Sequence, residues 1–443
     1  MGSFAQLEQV PYIFLMRTLS RVDKEDISMA NPKEQLLRWV DEDRNELIDF
    51  LSGFVRARCP NPPGDTKEAV NYLCQFLGAH QLPYRIISPH SDMPNIVGSF
   101  DCGSPGRHLV FNGHIDVFPV GNEPWTYGPW SGTLVNGRIY GRGVTDMKCG
   151  TAASVLTFAY LYRIRDQLNG RLTLTAVSDE ETSGPYGARY LMEHHPEVHG
   201  DCLLNGEPST PYTIRFGEKG PLWVRFGIRT PGCHGAYTHL SESATKIASR
   251  LITDLETVTG IEANPPESVR KALIGSEATL DKALGQGASE TVQKVTLNIG
   301  MVKGGLKVNM VPGHCEIEAD IRLPVGVEKP QIMREVEKIL SRYPQVTMEE
   351  INFSPPSWCD PNGEMVQHLK SNVKALRGFE PVAVISLGGT DARLWRYKNI
   401  PSYVYGPSPI RMGSFDEYVD VEEYLHVIRT HVLSAFDYMS RAR

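Results

Sequence analysis

No two cysteines in this chain form a CxxC pair. The eight thiols (Cys59, Cys74, Cys102, Cys149, Cys202, Cys233, Cys315 and Cys359) are scattered. That excludes a cysteine-built zinc ribbon or redox motif and reads as free thiols of a reducing, cytoplasmic compartment. No apolar run approaches the ~20 residues of a membrane-spanning helix, so no membrane partner is expected. A basic excess is missing as well. Forty-five Lys and Arg face 52 Asp and Glu, a formal charge of −7, which is the wrong sign for binding a nucleic-acid backbone. A leader of ordinary form is also lacking. The apolar stretch of PYIFLMRTLSR (11–21) is preceded by Glu8 and followed by Arg17, the reverse of signal-peptide charge order. Asp23, Glu25 and Asp26 count against a mitochondrial presequence, and Gln6 stands where a myristoylation signal has Ser or Thr. Residues 1–32 therefore read as an N-terminal extension, a surface or docking arm.

The chain's 443 residues, 41% hydrophobic and 22% charged, are a soluble composition, too long for one ordinary core and pointing to two domains. Leu36, Leu37, Val40, Leu47, Ile48 and Leu51 recur at helical spacing and predict an amphipathic helix over 33–58. ARCPNPPGD (57–65) breaks it, and a second helix is expected over 68–80. NIVGSF (95–100), HLVFNGHID (108–116) and RLTLTAVSD (171–179) are short apolar runs bounded by turn residues, the pattern of buried strands. A helix rich in small residues, 149–165, lies between the last two. Strand, helix, strand of this kind predicts an α/β sheet covered on both faces. The style then changes. GPLWVRFGIRT (220–230), VTLNIGMVKGG (295–305) and CEIEADIRLP (315–324) alternate apolar and polar residues, as antiparallel strands with one wet face do. Helices expected over 241–258 and 328–341 complete a β-α-β-β-α-β order, interrupted by a polar insertion over 260–292. After FSPPSW (353–358) the α/β style returns with PVAVISLGGTDARL (381–394). Four parts follow: the extension 1–32, a catalytic domain in two pieces, 33–212 and 356–443, and an α+β domain inserted over 213–355.

Chemistry concentrates between Val110 and Glu207. VFNGHID (110–116), GRGVTDMKCG (141–150), VSDEETSG (177–184) and NGEPS (205–209) present His114 with Asp116, then Asp146, Glu180 with Glu181, and Glu207. These are nitrogen and oxygen donors of the kind that bind zinc. His114 and Asp116 alternate along a strand and so share a face, which lets the carboxylate orient the imidazole; a hydrogen-bonded pair at a strand end has the same sequence. Asp146 follows a Gly-rich turn and Glu207 sits where a helix could start. The adjacent like charges of Glu180 and Glu181 repel unless a cation or proton separates them. Cys149, three residues after Asp146, has no paired base and reads as a small packing thiol.

Together these segments resemble the dinuclear zinc metallohydrolases that include aminoacylase, carboxypeptidase G, acetylornithine deacetylase and succinyl-diaminopimelate desuccinylase. The resemblance covers the chain from about residue 35 onward. It implies a zinc-exopeptidase-like catalytic domain with an inserted ferredoxin-like dimerisation lid. His114 and Glu207 would bind one zinc, Asp146 would bridge it to a second and Glu181 would hold that second ion. Glu180 would be the general base, Asp116 would join it in the catalytic set, and the Asp146–Met147 peptide would be cis. Two zinc ions roughly 3.5–4 Å apart lower the pKa of water and polarise an amide oxygen. TPGCHGAYTH (230–239) matches the family's Gly-x-x-His segment, so His234 would enter the partner's site to stabilise the oxyanion. Asn309 and Arg322 match positions that hold a substrate carboxylate or oxyanion, and Thr390 of GGTDAR (388–393) would donate to substrate.

One element of the family is missing. Its last metal ligand, a His shortly before an Asp-Glu pair, has no counterpart in YGPSPIRMGSFDEYV (405–419). Asp416 and Glu417 are present, and alignment puts Gly413, or Ile410, where the imidazole belongs. His426 and His431 follow off-register. The expected cofactor is therefore zinc, one or two ions per chain, with cobalt or manganese able to substitute. The sequence reads as a homodimeric hydrolase of the amide bond in an N-acyl amino acid or small peptide-like substrate. Two alternatives stay open: a repurposed member that forms amides, cyclises or transfers acyl groups, and a ligand-binding homodimer without turnover.

Overall fold

The computed structural model describes residues 31–440; the extension expected over 1–32 lies almost wholly outside them. Its centre is a nine-stranded sheet. From one edge the order is Tyr84–Ile87, Asn95–Asp101, Asn169–Val177, Ser104–His114, Cys202–Asn205, Ser402–Val404, Thr213–Glu218 and Ser357–Trp358, with Val382–Ser386 also pairing to Thr213–Glu218. The middle is parallel: Ser104–His114 pairs in parallel with Asn169–Val177 and with Cys202–Asn205, which pairs in parallel with Ser402–Val404. Parallel strands are covered on both faces, and here Leu109, Val110, Phe111, Leu172, Leu174, Leu203 and Leu204 are all buried. The helix Cys149–Arg163 is buried along most of its length, and the C-terminal helix Val421–Met439 packs against it and against Ser104–His114.

The amphipathic stretch expected as one helix forms two, Pro32–Glu42 and Arg44–Arg56, because Asp43 ends the first and opens the second. Both bury their apolar stripes in the main core, and the next helix, Lys67–Ala79, joins them.

A second sheet carries the strands Thr296–Gly304, His314–Leu323, Gly220–Arg229 and Val346–Phe353, in that order and all antiparallel. The helices Ala244–Leu255 and Lys329–Leu340 cover one face, giving the β-α-β-β-α-β topology of a ferredoxin-like domain. Its core alternates with period two: Leu222, Val224, Phe226 and Ile228 face inward against Ile247, Leu251, Ile332 and Val336.

The two bodies divide differently from the sequence expectation at two places. Thr213–Glu218 is still a strand of the central sheet, so the smaller sheet begins at Gly220, not at 213. The polar insertion 260–292 contains three short helices, Glu267–Leu273, Glu277–Leu284 and Ala288–Thr291. The insertion's buried residues Val269, Leu273, Leu280 and Val292 belong to the main core, not to the small domain that flanks them in sequence. Among the described residues no helix is long and apolar enough to cross a membrane.

Candidate metal centre

Three adjacent parallel strands end at one place. His114 is the last residue of Ser104–His114, Glu180 and Glu181 follow Asn169–Val177, and Glu207 follows Cys202–Asn205. In open α/β sheets the carboxyl ends of the strands are where ligands bind. Asp146 arrives from the other side, on the turn Val144–Lys148 that leads into the helix Cys149–Arg163. Gly143, at φ +76°, takes the left-handed conformation that starts this turn. A Cβ on Gly150 would lie 1.9 Å from the Gly206 carbonyl oxygen, so only glycine lets the helix start close against the strand end that carries Glu207. The Asp146–Met147 peptide is cis.

His114 Nε2 lies 3.1 Å from Asp146 Oδ1 and 3.2 Å from Glu207 Oε1. One ligand atom from each of the three lies within 4.8 Å of the other two. The other ring nitrogen, Nδ1, is 2.8 Å from the backbone carbonyl of Asp116 and 3.6 Å from its carboxylate. The carbonyl therefore holds the imidazole by its Nδ1–H and leaves Nε2 as the free donor for a metal. This departs from the expectation that the Asp116 carboxylate orients the ring. That carboxylate instead accepts the amides of Glu180 and Glu181, at 3.2 and 3.0 Å, and Asn61 Nδ2 at 2.9 Å. It fixes the turn on which the two glutamates sit, as does Asp179, which accepts Thr182 Oγ1 and the Tyr186 amide.

The electrostatics call for a cation. Burial and the neighbouring Asp146 push the Glu207 carboxyl up to about 8, and burial with Asp146 and Glu180 beside it lifts Glu181 well above the ordinary range. Burial opposes a charge on His114, but Glu207, Asp116 and Asp146 outweigh it and hold the ring well above its usual value. Glu181 Oε1 is buried without a hydrogen-bond partner. Imidazole nitrogen and carboxylate oxygens crowded in this way fit a divalent ion, which removes the mutual repulsion.

Several site neighbours were not singled out from the sequence. Arg393 Nη1 lies 3.4 Å from Glu180 Oε1, and Asp391, its carboxyl pushed up to about 7 by burial and by Glu180, adjoins them. Glu218 forms a buried ion pair with Arg396 at 2.9 Å. It also accepts both the amide and the hydroxyl of Thr390, at 3.0 and 2.9 Å, so the Thr390 hydroxyl expected to meet substrate is held by a protein carboxylate. Arg393 stands in the same GGTDAR segment, one helical turn on from Thr390, and that spacing was the available signal. Cys149 is buried and its thiol is pushed well up by burial, the state of a packing thiol. The lid residues lie apart. His234 is exposed, its Nδ1 accepting the Ala236 amide; Asn309 is exposed; Arg322 shares its Nε–H between both carboxylate oxygens of Asp320, each at 2.9 Å. Among the described residues none of the three touches the His114 cluster.

Residues 110–436 match the family described as Peptidase family M20/M25/M40. A succinyl-diaminopimelate desuccinylase of Cereibacter sphaeroides is 27% identical over 378 residues, 83% of this chain and 92% of that one. An M20 family metallo-carboxypeptidase of Sulfolobus solfataricus has the same fold at a TM-score of 0.76 and 20% identity, over 89% of this chain and 99% of that one. A dinuclear metal-binding M20 peptidase of Bacillus subtilis superposes at a TM-score of 0.58 and 17% identity, over 90% and 100% of the two chains. The chain belongs to the peptidase family M20/M25/M40. It is a metallohydrolase of amide bonds, with an α/β catalytic domain and an inserted α+β domain.

Proposed function

We propose that this metallohydrolase cleaves the amide bond of an N-acyl amino acid or small peptide-like substrate, with Glu180 as general base and zinc as the resident metal. The observation that carries the reading is the convergence of His114 Nε2, Asp146 and Glu207 at the strand ends, with Glu180 beside them. A zinc ion held by that set supplies a Lewis acid that makes water acidic near neutral pH and polarises an amide oxygen.

The protein's own groups do the rest. Burial raises the Glu180 carboxyl, and His114 and Arg393 temper the rise, which moves it toward the range in which a carboxylate can both accept and return a proton. Arg393 at 3.4 Å and the Glu180 amide bound to Asp116 keep it aimed. Glu180 takes the proton of the attacking water and delivers it to the departing nitrogen. Asp116 positions Glu180 and makes no contact with substrate. His234, Asn309 and Arg322 of the inserted domain are assigned to the substrate oxyanion and carboxylate. A planar guanidinium such as that of Arg322 matches a carboxylate, and His234 reaches the centre from the lid of a second copy in a homodimer.

The test is Glu180→Gln. It should remove turnover of N-acyl amino acids and dipeptides by at least ~100-fold while metal content is unchanged. Loss of metal in step with activity would make Glu180 a ligand and overturn its assignment as base.

A further inference from the structure

We infer that this chain retains a single divalent ion, at His114, Asp146 and Glu207, and that the position beside Glu181 lacks the donors to retain a second. The inference rests on the metal reading above and deepens it.

All 13 histidines of the sequence lie among the described residues, so each has a place. Only His114 is in the carboxylate cluster. His234, His239 and His314 belong to the inserted domain. His426 and His431, on the C-terminal helix, place their Nε2 atoms 2.7 Å from the hydroxyl and 2.7 Å from the carbonyl of Tyr405. The remaining seven have partners elsewhere, such as Thr173 for His108 and the Met192 carbonyl for His199.

The segment 405–419 is the one that closes over Asp146. Glu417 accepts the amides of Gly143 and Thr145 and the Thr145 hydroxyl, and Arg142 Nη1 reaches the Ser414 carbonyl at 3.1 Å. Between these anchors the chain offers apolar groups, hydroxyls, the Met412 thioether and the Arg411 guanidinium, none of which is a usual zinc donor. Its one free-standing carboxylate, Asp416, is occupied by the amide and hydroxyl of Thr126, both at 2.8 Å. Gly413 brings no side chain, and a Cβ there would sit 3.5 Å from the Phe118 ring.

Glu181, with its unpartnered Oε1, has the Asp146 carboxylate beside it and, among the described residues, no imidazole other than His114, which belongs to the first cluster. Two carboxylates without an imidazole suit a hard ion that keeps its waters, such as magnesium or manganese, and hold it in exchange with solvent. Loss of a group that merely orients a ligand costs ~10–100-fold in affinity, and loss of a ligand costs no less. Asp146 is then an ordinary ligand of one ion and not a bridge.

The full-length protein, loaded with excess zinc and dialysed, should keep one equivalent per chain by elemental analysis. Zinc titration of the metal-free protein should show one tight step and any second at least ~100-fold weaker. Glu181→Gln should still keep one equivalent. Two dialysis-resistant equivalents in the unmodified chain, or loss of the retained ion in a folded Glu181→Gln protein, would overturn the inference. A chain that keeps no zinc at all would instead overturn the metal centre on which it rests.

Discussion

Asp116 has both carboxylate oxygens engaged by the Glu180 and Glu181 amides and by Asn61, while its carbonyl holds His114. Burial pushes its carboxyl up, yet the His114 ring and the Asn61 and Glu181 donors leave it below the ordinary aspartate value. Asp116→Ala should therefore lower kcat with zinc content nearly intact, and should cost about 1–3 kcal/mol of stability by orphaning the buried amides; turnover, elemental analysis and urea unfolding read the three effects. Loss of metal in proportion to kcat would show that Asp116 acts on the ligand set and not on Glu180. Glu417 is a second case. It pairs with Arg142 at 2.8 Å, both side chains almost fully buried. Removing one partner of such a pair costs about 3–5 kcal/mol, so Glu417→Ala should show that loss in denaturant melts. His114, Asp146, Glu180 and Glu207 were legible because each follows a strand-like or Gly-rich stretch that announces a turn. Glu218 and Arg396 were not, since a buried ion pair between distant segments leaves no periodic mark on either.

The C-terminal helix Val421–Met439 carries two buried histidines whose rings stay neutral. Burial and nearby arginines bring His426 down to about 3, and burial brings His431 down to about 4. Unfolded, both return to about 6.5. Between those values the unfolded chain binds protons that the native one refuses, so stability is fully present above about pH 6.5 and falls as the pH drops toward 4. The melting temperature should decline from pH 7 to pH 5, and His426→Gln with His431→Gln should flatten that slope. A slope unchanged in the double variant would place the acid sensitivity elsewhere. Strands with a long apolar or alternating run, such as Asn95–Asp101, Ser104–His114, Asn169–Val177, Gly220–Arg229 and His314–Leu323, were readable from the sequence to within a few residues; short ones such as Cys202–Asn205 and Ser402–Val404 were not. The insertion 260–292 was not, because its polar helices bury only a few residues each and do so against a core far away in the chain. Leu280→Ala should accordingly cost about 2–5 kcal/mol in unfolding of the main domain. A change under about 0.5 kcal/mol would mean that the insertion rides on the surface.

At the scale of the whole molecule, both sheets leave apolar residues at an edge. The main sheet's middle strands are buried on both faces, and its edge strand Tyr84–Ile87 exposes Ile86; the edge strand Thr296–Gly304 of the small domain leaves Val302 54% exposed, and the segment after it leaves Leu306 at 86% and Val308 at 100%. An exposed apolar edge strand is a template for pairing. The dimer expected from the sequence should appear in light scattering at micromolar concentration, and Val302→Glu should shift it toward monomer. A monomeric unmodified protein would remove the route by which His234 reaches a neighbouring centre. The two-domain division was legible because the change from continuous to alternating apolar runs marks a sheet buried on two faces giving way to one buried on a single face. The exact joins were not, since Thr213–Glu218 has a strand's composition whichever sheet it joins. The central claim is chemical: a metal held at the strand ends by His114, Asp146 and Glu207 drives amide hydrolysis. The most direct test is amine release from a panel of N-acyl amino acids and dipeptides by the full-length protein as prepared, after chelation, and after zinc is restored. The account predicts turnover that disappears on chelation and returns with zinc. Turnover that persists in metal-free protein, or its absence across the panel in zinc-loaded protein, would contradict it.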